Sequence, residues 1–150
     1  TCVGVDVDGL GIELAALEID RAGMVGRVSA ELVDGGDIGH ENEFDLVTMF
    51  EVLHELPLAV RDQVMANCAK ALKPGGKLLI IDETYPAKSS DLRKPEYFFP
   101  VLTGYNEMTW GNVVPTRADQ DKLIADAGLV EVHRDMIGGM FTVIMVEKPA

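Results

Sequence analysis

Residues 72–80 read Leu-Lys-Pro-Gly-Gly-Lys-Leu-Leu-Ile, and this stretch gives the clearest indication of the fold. Before it, apolar side chains recur at helical spacing from Leu58 to Leu72, and the Lys-Pro-Gly-Gly sequence predicts an abrupt end to that helix. After it, residues 77–82 form a continuous apolar run that closes with Asp82, as is typical of a buried strand. The stretch therefore predicts a helix, a tight turn and a buried strand in succession.

The same alternation of strands and helices continues on both sides of this stretch. Further strands are predicted at residues 2–8, 28–33 and 44–50. A helix between the first two strands ends at Gly23, and another helix over residues 117–127 is capped by Thr116. Towards the C-terminus, two β-rich runs flank Gly138-Gly139, which predicts an antiparallel hairpin. The pattern indicates an α/β fold whose sheet is mostly parallel and finishes with an antiparallel C-terminal hairpin.

The composition limits the classes of partner. The chain has 150 residues, of which 47% are hydrophobic, and a formal net charge of −12. Such acidity argues against binding to nucleic acid or to an anionic membrane, because both need clustered Lys and Arg. Cys2 and Cys68 suggest neither a disulfide framework nor a metal site, and no apolar run approaches the roughly 20 residues that span a bilayer. We therefore expect a cytoplasmic protein with no nucleic-acid, membrane or metal partner.

Residues 83–116 depart from the regular alternation. They include five of the eight Phe and Tyr residues and the single tryptophan, Trp110. Long irregular segments within compact domains are usually lids or binding loops. We expect this segment to cover a small organic molecule, with Tyr85, Tyr105 and Trp110 in contact with it. A dimer contact is the alternative, because aromatic side chains are also enriched at interfaces.

Residues that follow the predicted strands are the candidates for a functional site, because ligands of open α/β sheets bind at the carboxyl ends of the strands. These residues are Asp6, Asp8, Asp37, Ile38, Phe50, Glu51, His54, Asp82 and Glu83. A carboxylate at the end of a strand is suited to accept both hydroxyls of a ribose, as in nucleotide-type cofactors. It is equally suited to cap the next helix, so both interpretations of Asp6 remain open.

Four stretches follow one another along the chain: Gly4-Val5-Asp6-Val7-Asp8, Gly36-Asp37-Ile38, Phe44-Asp45-Leu46-Val47 and residues 72–80. This succession resembles the later half of a class I S-adenosylmethionine-dependent methyltransferase. The resemblance covers residues 1–83, and the terminal helix and hairpin match the reversed last strand of that family. It implies a Rossmann-like methyltransferase domain over residues 1–150, S-adenosyl-L-methionine as the cofactor, and residues 83–116 as a variable acceptor segment or lid.

The resemblance also implies a set of cofactor-binding residues: Asp6, Val7, Gly36, Asp37, Ile38, Phe50 and Glu51. Asp6 would hold the ribose hydroxyls, and Asp37 and the backbone of Ile38 would meet the adenine. Phe50 and Glu51 would line the methionine end. Two alternatives involve no ligand, namely an Asx turn at Asp37 and packing of the Phe50 ring in the core.

One part of the family pattern has no counterpart in residues 1–150. The family opens with a central strand and a glycine-rich turn of the GxGxG type, whereas this sequence begins at what would be the second strand. A sheet without its central strand would expose two unpaired edges. We therefore expect that the first strand is missing from this sequence, and that an upstream part of the domain or a partner supplies it.

Residues 51–56, Glu-Val-Leu-His-Glu-Leu, are similar to small-molecule O-methyltransferases of the caffeic acid type, which use a histidine at this place as a base. By that resemblance, His54 would take a hydroxyl proton while Asp82 orients its ring. An imidazole with an unperturbed pKa of about 6.5 suits this step at neutral pH. A histidine that only packs at the helix start is the alternative. Glu55 replaces the family's Asp, and no Trp follows it.

Three functions are compatible with these observations. The leading hypothesis is methyl transfer from S-adenosylmethionine to a small organic molecule, with O-methylation implied by the surroundings of His54. The second is a non-enzymatic, methyltransferase-like module that senses a ligand or dimerises within a larger protein, such as one with a winged helix. The third is a nicotinamide-dependent oxidoreductase, because dehydrogenases share the strand-end Asp. A homodimer is a further expected assembly.

Overall fold

The structure is a computed structural model that describes residues 1–33 and 37–150. It divides into two compact units, Thr1–Gly39 and His40–Ala150. Across these described residues, no helix is both long and apolar enough to cross a membrane.

The first unit is a βαβ arrangement. Its elements are β1 (Cys2–Asp6), α1 (Gly9–Arg21) and β2 (Val28–Leu32). The two strands pair in parallel, and α1 connects them. β1 is two residues shorter than predicted, because the carboxylate of Asp8 accepts the amide of Leu10 and caps α1. Asp8 rather than Asp6 is thus the helix cap.

The second unit contains a four-stranded sheet and three α-helices in its described residues. The elements are β3 (Phe44–Phe50), α2 (Leu58–Ala71), β4 (Leu72–Asp82), α3 (Phe98–Trp110), α4 (Arg117–Asp126), β5 (Val130–Ile137) and β6 (Phe141–Glu147). The sheet has the order β3-β4-β6-β5, in which β3 and β4 are parallel and β6 is antiparallel to both of its neighbours. Because the terminal hairpin places β6 beside β4, this sheet is mixed. The expectation of a mostly parallel sheet is therefore not confirmed.

The predicted C-terminal hairpin is confirmed. Gly138 and Gly139 join β5 to β6 with φ angles of 63° and 69°, and the carbonyl of Ile137 accepts the amide of Met140 at 3.1 Å. Both central positions of this Ile137–Met140 turn have positive φ, which glycine adopts without strain.

Strand β4 begins earlier than the sequence pattern predicts. Helix α2 ends at Ala71, and Leu72 is already the first residue of the strand. The amide of Gly75 donates to the carbonyl of Lys148 at 2.8 Å, and the amide of Lys148 donates to the carbonyl of Gly76 at 2.9 Å. These hydrogen bonds join residues that are far apart in sequence, and they extend β4 through the Pro-Gly-Gly sequence. A local sequence pattern cannot indicate such an extension.

The core of the second unit involves one face of this sheet and helices α2 and α4. Fully buried residues alternate along the central strands, at Leu78 and Ile80 in β4 and at Ile144 and Val146 in β6. Asp82 continues the buried face of β4 two residues beyond Ile80. The alternation of the strand therefore carries a carboxylate to the edge of an apolar core.

The segment over residues 83–116 is more regular than its sequence suggests. It contains two short 3₁₀ turns, Ser89–Arg93 and Pro95–Tyr97, and then the 13-residue helix α3. Pro100 lies in the first turn of α3, where a backbone amide has no intrahelical partner to lose. Gly104 allows close packing, since a Cβ there would lie 2.7 Å from the ring of Tyr85. The expectation of an irregular segment is wrong because proline and glycine here begin and pack a helix.

Candidate active site

The candidate site lies at the carboxyl ends of β3 and β4. There the buried carboxylate of Asp82 accepts three backbone amides, from Leu53 at 2.7 Å, His54 at 3.3 Å and Glu83 at 2.7 Å. A buried carboxylate needs such partners, because it has lost its hydrogen bonds to water. The bonds from Leu53 and His54 attach the loop after β3 to the end of β4.

The structure brings His54 and Asp82 together, as the sequence-based hypothesis requires. His54 Nδ1 lies 2.7 Å from Asp82 Oδ1, and the ring is almost completely buried. Burial opposes protonation of the ring, but the hydrogen bond to Asp82 and the surrounding carboxylates outweigh it and raise the pKa of His54 to about 9. These carboxylates are Asp82, Glu83 and Glu107. This raised pKa favours the protonated ring, in contrast to the unperturbed pKa expected from the sequence.

Glu107, on α3, faces the other nitrogen of the histidine. Its Oε2 lies 4.0 Å from His54 Nε2 and accepts a hydrogen bond from Asn112 Nδ2 at 2.8 Å. Glu107 is only 7% exposed. Glu107 was not predicted from the sequence, although a signal exists: with Pro100 and Gly104 it lies on the buried face of an otherwise largely apolar helix. The histidine thus has a carboxylate at each ring nitrogen.

Two further carboxyl groups, on Glu51 and Glu83, lie beside this pair. Within the described part of the chain, one oxygen of each, Glu51 Oε1 and Glu83 Oε2, is buried without a hydrogen-bond partner. Burial is the main cause that raises the pKa of both groups, to about 7 for Glu51, and the nearby Asp82 adds to the effect. Glu51 also has a φ of 56°, a strained conformation for a non-glycine residue.

Arg61, on α2, connects the loops around the site. Its Nε donates to the carbonyl of Leu56 at 2.9 Å, and one Nη donates to the carbonyls of His54 at 3.0 Å and Val113 at 2.5 Å. The buried guanidinium therefore links the His54 loop to the segment that follows α3. Arg61 was not predicted as a site residue, although it lies four residues before Met65 on the buried face of the helix.

The cofactor residues predicted from the resemblance are divided between the two units. Those of the first unit are Asp6, Val7, Asp37 and Ile38. The exposed Asp6 accepts the amide of Asp8 through Oδ1 at 2.9 Å. Asp37 accepts the amide of Gly39 at 2.8 Å, so the Asx turn considered as an alternative is present. Gly36 lies outside the described residues.

The predicted aromatic residues of the second unit differ in exposure. Phe50 is 55% exposed, so the interpretation that its ring packs in the core is wrong. Met49 occupies the inward position instead, because neighbouring residues of a strand face opposite sides of the sheet. Tyr85 is half-buried against Gly104. Tyr105 and Trp110, on α3, are 64% and 71% exposed.

Comparison with known families identifies the class of protein. The chain belongs to the methyltransferase domain family, whose model, described as "Methyltransferase domain", matches residues 1–78. That range includes the predicted cofactor residues, His54 and the whole Leu-Lys-Pro-Gly-Gly sequence. The predicted family is thereby confirmed.

Individual relatives are longer than this chain. A ubiquinone biosynthesis O-methyltransferase of Thiobacillus denitrificans is 34% identical over 91 residues, which are 59% of this chain and 38% of the relative. An uncharacterized methyltransferase of Synechocystis sp. is 26% identical over 144 residues, which are 93% of this chain and 61% of the relative.

The fold is shared with solved structures. The crystal structure of a putative O-methyltransferase from Nostoc punctiforme matches with a TM-score of 0.77 at 19% identity, and the match covers 97% of this chain and 44% of that one. The α/β methyltransferase-like fold expected from the sequence is therefore confirmed.

Proposed function

We propose that the chain provides the catalytic part of an S-adenosylmethionine-dependent methyltransferase that methylates a small organic molecule at an oxygen. The observation that carries this proposal is the buried His54–Asp82 pair at the carboxyl ends of β3 and β4, in a chain of the methyltransferase domain family. A group that accepts or donates protons at this position is suited to act on a hydroxyl as it attacks a methyl group. The comparisons do not favour the non-enzymatic module.

In each unit taken by itself, residues at the strand ends suit one part of the proposed cofactor. S-adenosylmethionine would supply an electrophilic methyl group on a positively charged sulfur. The carboxylate of Asp6 is exposed at the end of β1 and suits two ribose hydroxyls, while Asp37 and Ile38 would meet the adenine. Glu51 Oε1, which is buried without a described partner, suits an ammonium group, and the exposed ring of Phe50 would cover the methionine end.

The acceptor would lie against residues 83–116. Tyr85, Tyr105 and Trp110 supply aromatic surface in this segment, which suits a small organic molecule better than a polyanion. The exposed rings of Tyr105 and Trp110 are equally suited to a homodimer contact. Substituting each of the two residues separately tests whether its ring contacts the acceptor.

The first test is a thermal-shift titration of the full-length protein with S-adenosylhomocysteine, with NAD in a parallel series. A ligand at about 100 times its dissociation constant stabilises a protein by about 2.7 kcal/mol. We expect stabilisation by the homocysteine compound alone. A response to NAD alone would establish an oxidoreductase instead, and no response to either compound would contradict cofactor binding.

The second test addresses the ribose assignment. Asp6→Ala is expected to weaken S-adenosylhomocysteine binding by about 1–3 kcal/mol, the scale of a lost charge-assisted hydrogen bond. The control is Glu13→Ala, which removes an exposed carboxylate from α1 and should leave the affinity unchanged. Equal affinities for both variants would rule out Asp6 as the ribose ligand.

A further inference from the structure

A cleft of about 330 Å³ lies between helices α2 and α4. Each helix lines it with side chains three and four positions apart, which share one face of a helix. They are Leu58, Arg61 and Asp62 from α2 and Asp119, Lys122 and Leu123 from α4. The volume suits a small molecule. None of the described residues that were predicted to bind the cofactor or the acceptor lines this cleft.

The wall formed by α2 contains a buried cation with an unused donor. Arg61 is only 4% exposed, and its Nε and Nη2 donate to backbone carbonyls. Within the part of the chain that the structure describes, Nη1 has no acceptor and the guanidinium has no carboxylate within 4.0 Å. Buried arginines are ordinarily paired with a negative charge. The Nη1 group is therefore suited to bind a carboxylate that enters the cleft.

The start of α2 adds to this positive potential. The helix begins at Leu58, which lines the same cleft. Its N-cap, Pro57, makes no side-chain hydrogen bond to the first turn, so the positive end of the helix dipole is not offset there. The other cation of the cleft, Lys122, already forms an ion pair with Asp126. A carboxylate is thus attracted to the wall that carries Arg61.

The wall formed by α4 carries the opposite charge and an unused acceptor. Asp119 Oδ2 accepts the amide of Thr116 at 2.8 Å and its hydroxyl at 2.6 Å, whereas Oδ1 has no donor among the described residues. The charges of Asp119 and Arg61 attract each other, although the two groups are farther apart than the 4.0 Å of an ion pair. Asp62 adds a second carboxylate to the cleft. A positively charged group therefore suits Asp119 Oδ1.

The rest of the lining is apolar. Leu58 is 63% exposed and Val113, from the segment after α3, is 46% exposed, whereas Leu123 is buried. Apolar walls with a few well-placed polar groups are typical of sites for small molecules. The exposed surfaces of Leu58 and Val113 suit a short branched hydrocarbon chain.

We propose that this cleft is a second binding site of the protein, and that it takes a small aliphatic α-amino acid in its zwitterionic form. The carboxylate binds Arg61 Nη1, the ammonium group binds Asp119 Oδ1, and the side chain packs against Leu58 and Val113. A carboxylic acid without an amino group is repelled by Asp119, and an amine without a carboxylate is repelled by Arg61. Only a molecule with both charges on one carbon satisfies the two walls together.

The first experiment compares three probes of the same shape in a thermal-shift titration of the full-length protein. L-leucine carries both charges, isovalerate carries only the carboxylate and isoamylamine carries only the ammonium group. L-leucine should raise Tm, and the other two should bind about 10-fold more weakly, because each lacks one charge-assisted hydrogen bond. No response to millimolar L-leucine, or an equal affinity for isovalerate, would overturn the proposal.

A repeat of the L-leucine titration with saturating S-adenosylhomocysteine separates this cleft from the site of the cofactor, which also contains an amino acid group. The affinity for L-leucine should be the same with and without S-adenosylhomocysteine. Loss of the response would place L-leucine in the cofactor site and overturn the proposal. Failure of S-adenosylhomocysteine itself to bind would contradict the proposed methyl transfer, and the three-probe comparison would still decide the amino acid site.

The second experiment uses variants of each wall. Asp119→Asn retains an oxygen that can accept the amide of Thr116, and it should weaken L-leucine binding about 10-fold without weakening isovalerate binding. The matched control, Asp121→Asn, changes a carboxylate on the same helix that pairs with Arg134, and it should leave both affinities unchanged.

Leu58→Ala tests the apolar wall without touching the cap of α4. This exposed position tolerates truncation, and the variant should weaken L-leucine and isovalerate binding alike, by about 3-fold or more. An unchanged affinity for L-leucine in either Asp119→Asn or Leu58→Ala would overturn the proposal.

Discussion

The elevated pKa of His54 predicts how the stability of the protein depends on pH. The folded state holds the proton up to pH of about 9, whereas the unfolded state releases it near 6.5. Stabilisation by the imidazolium is therefore complete below pH 6.5 and is lost as the pH rises through 9. We expect the free energy of unfolding to fall continuously across this interval.

The magnitude follows from the size of the pKa change. One pKa unit corresponds to about 1.4 kcal/mol, so a rise from 6.5 to 9 is worth about 3 kcal/mol. The His54 side chain is only 5% exposed, so solvent screening reduces this value little. Glu51 acts in the same direction at lower pH, because ionising a carboxyl group whose pKa is raised to about 7 also destabilises the folded state.

Urea denaturation at a series of pH values between 6 and 9.5 measures this dependence. His54→Gln should remove the decline between pH 6.5 and 9 and retain the part due to Glu51. His133→Gln, which removes an exposed histidine from β5, should leave the decline intact. A flat profile for the wild type, or the same slope in His54→Gln, would refute the proposed imidazolium.

Three further predictions concern the packing around the site. Arg61→Met should lower the free energy of unfolding by about 3–5 kcal/mol, because it leaves buried carbonyls without donors. The control, Arg117→Met at an exposed position on α4, should change it by less than about 0.5 kcal/mol. Equal values for the two variants in urea denaturation would contradict a structural role of Arg61. Gly104→Ala should cost about 1–3 kcal/mol, because its Cβ would lie 2.7 Å from the Tyr85 ring, and an unchanged melting temperature would show that the ring moves freely. Thr116→Ala should cost about 1 kcal/mol through loss of the cap of α4, measured in the same way, and no loss would show that the capping box contributes nothing.

The elements with strong local patterns were predictable from the sequence. The expected strand at residues 44–50 agrees with β3, and the Gly138-Gly139 turn identifies the hairpin, because φ preferences and side-chain alternation act over a few residues. The early start of β4 was not predictable, since it depends on hydrogen bonds to Lys148 at the far end of the chain.

Part of the cluster around His54 could likewise be predicted. His54 and Asp82 each follow a strand, and parallel neighbouring strands bring their carboxyl ends together. Glu107 was missed because its position beside His54 depends on α3, whose helical pattern is obscured by Pro100, Gly104 and aromatic residues. The raised pKa of His54 was not predictable either, since it is caused by carboxylates that are distant in sequence.

The attachment of the His54 loop to Asp82 has a consequence for motion. Leu53, His54 and Glu83 lie outside regular secondary structure. Their amides nevertheless donate hydrogen bonds to the carboxylate of Asp82, the last residue of β4. These amides should exchange with deuterium as slowly as those of the neighbouring strands, although loop amides ordinarily exchange fast. The loop that carries His54 would then be as rigid as the sheet on the timescale of hydrogen exchange.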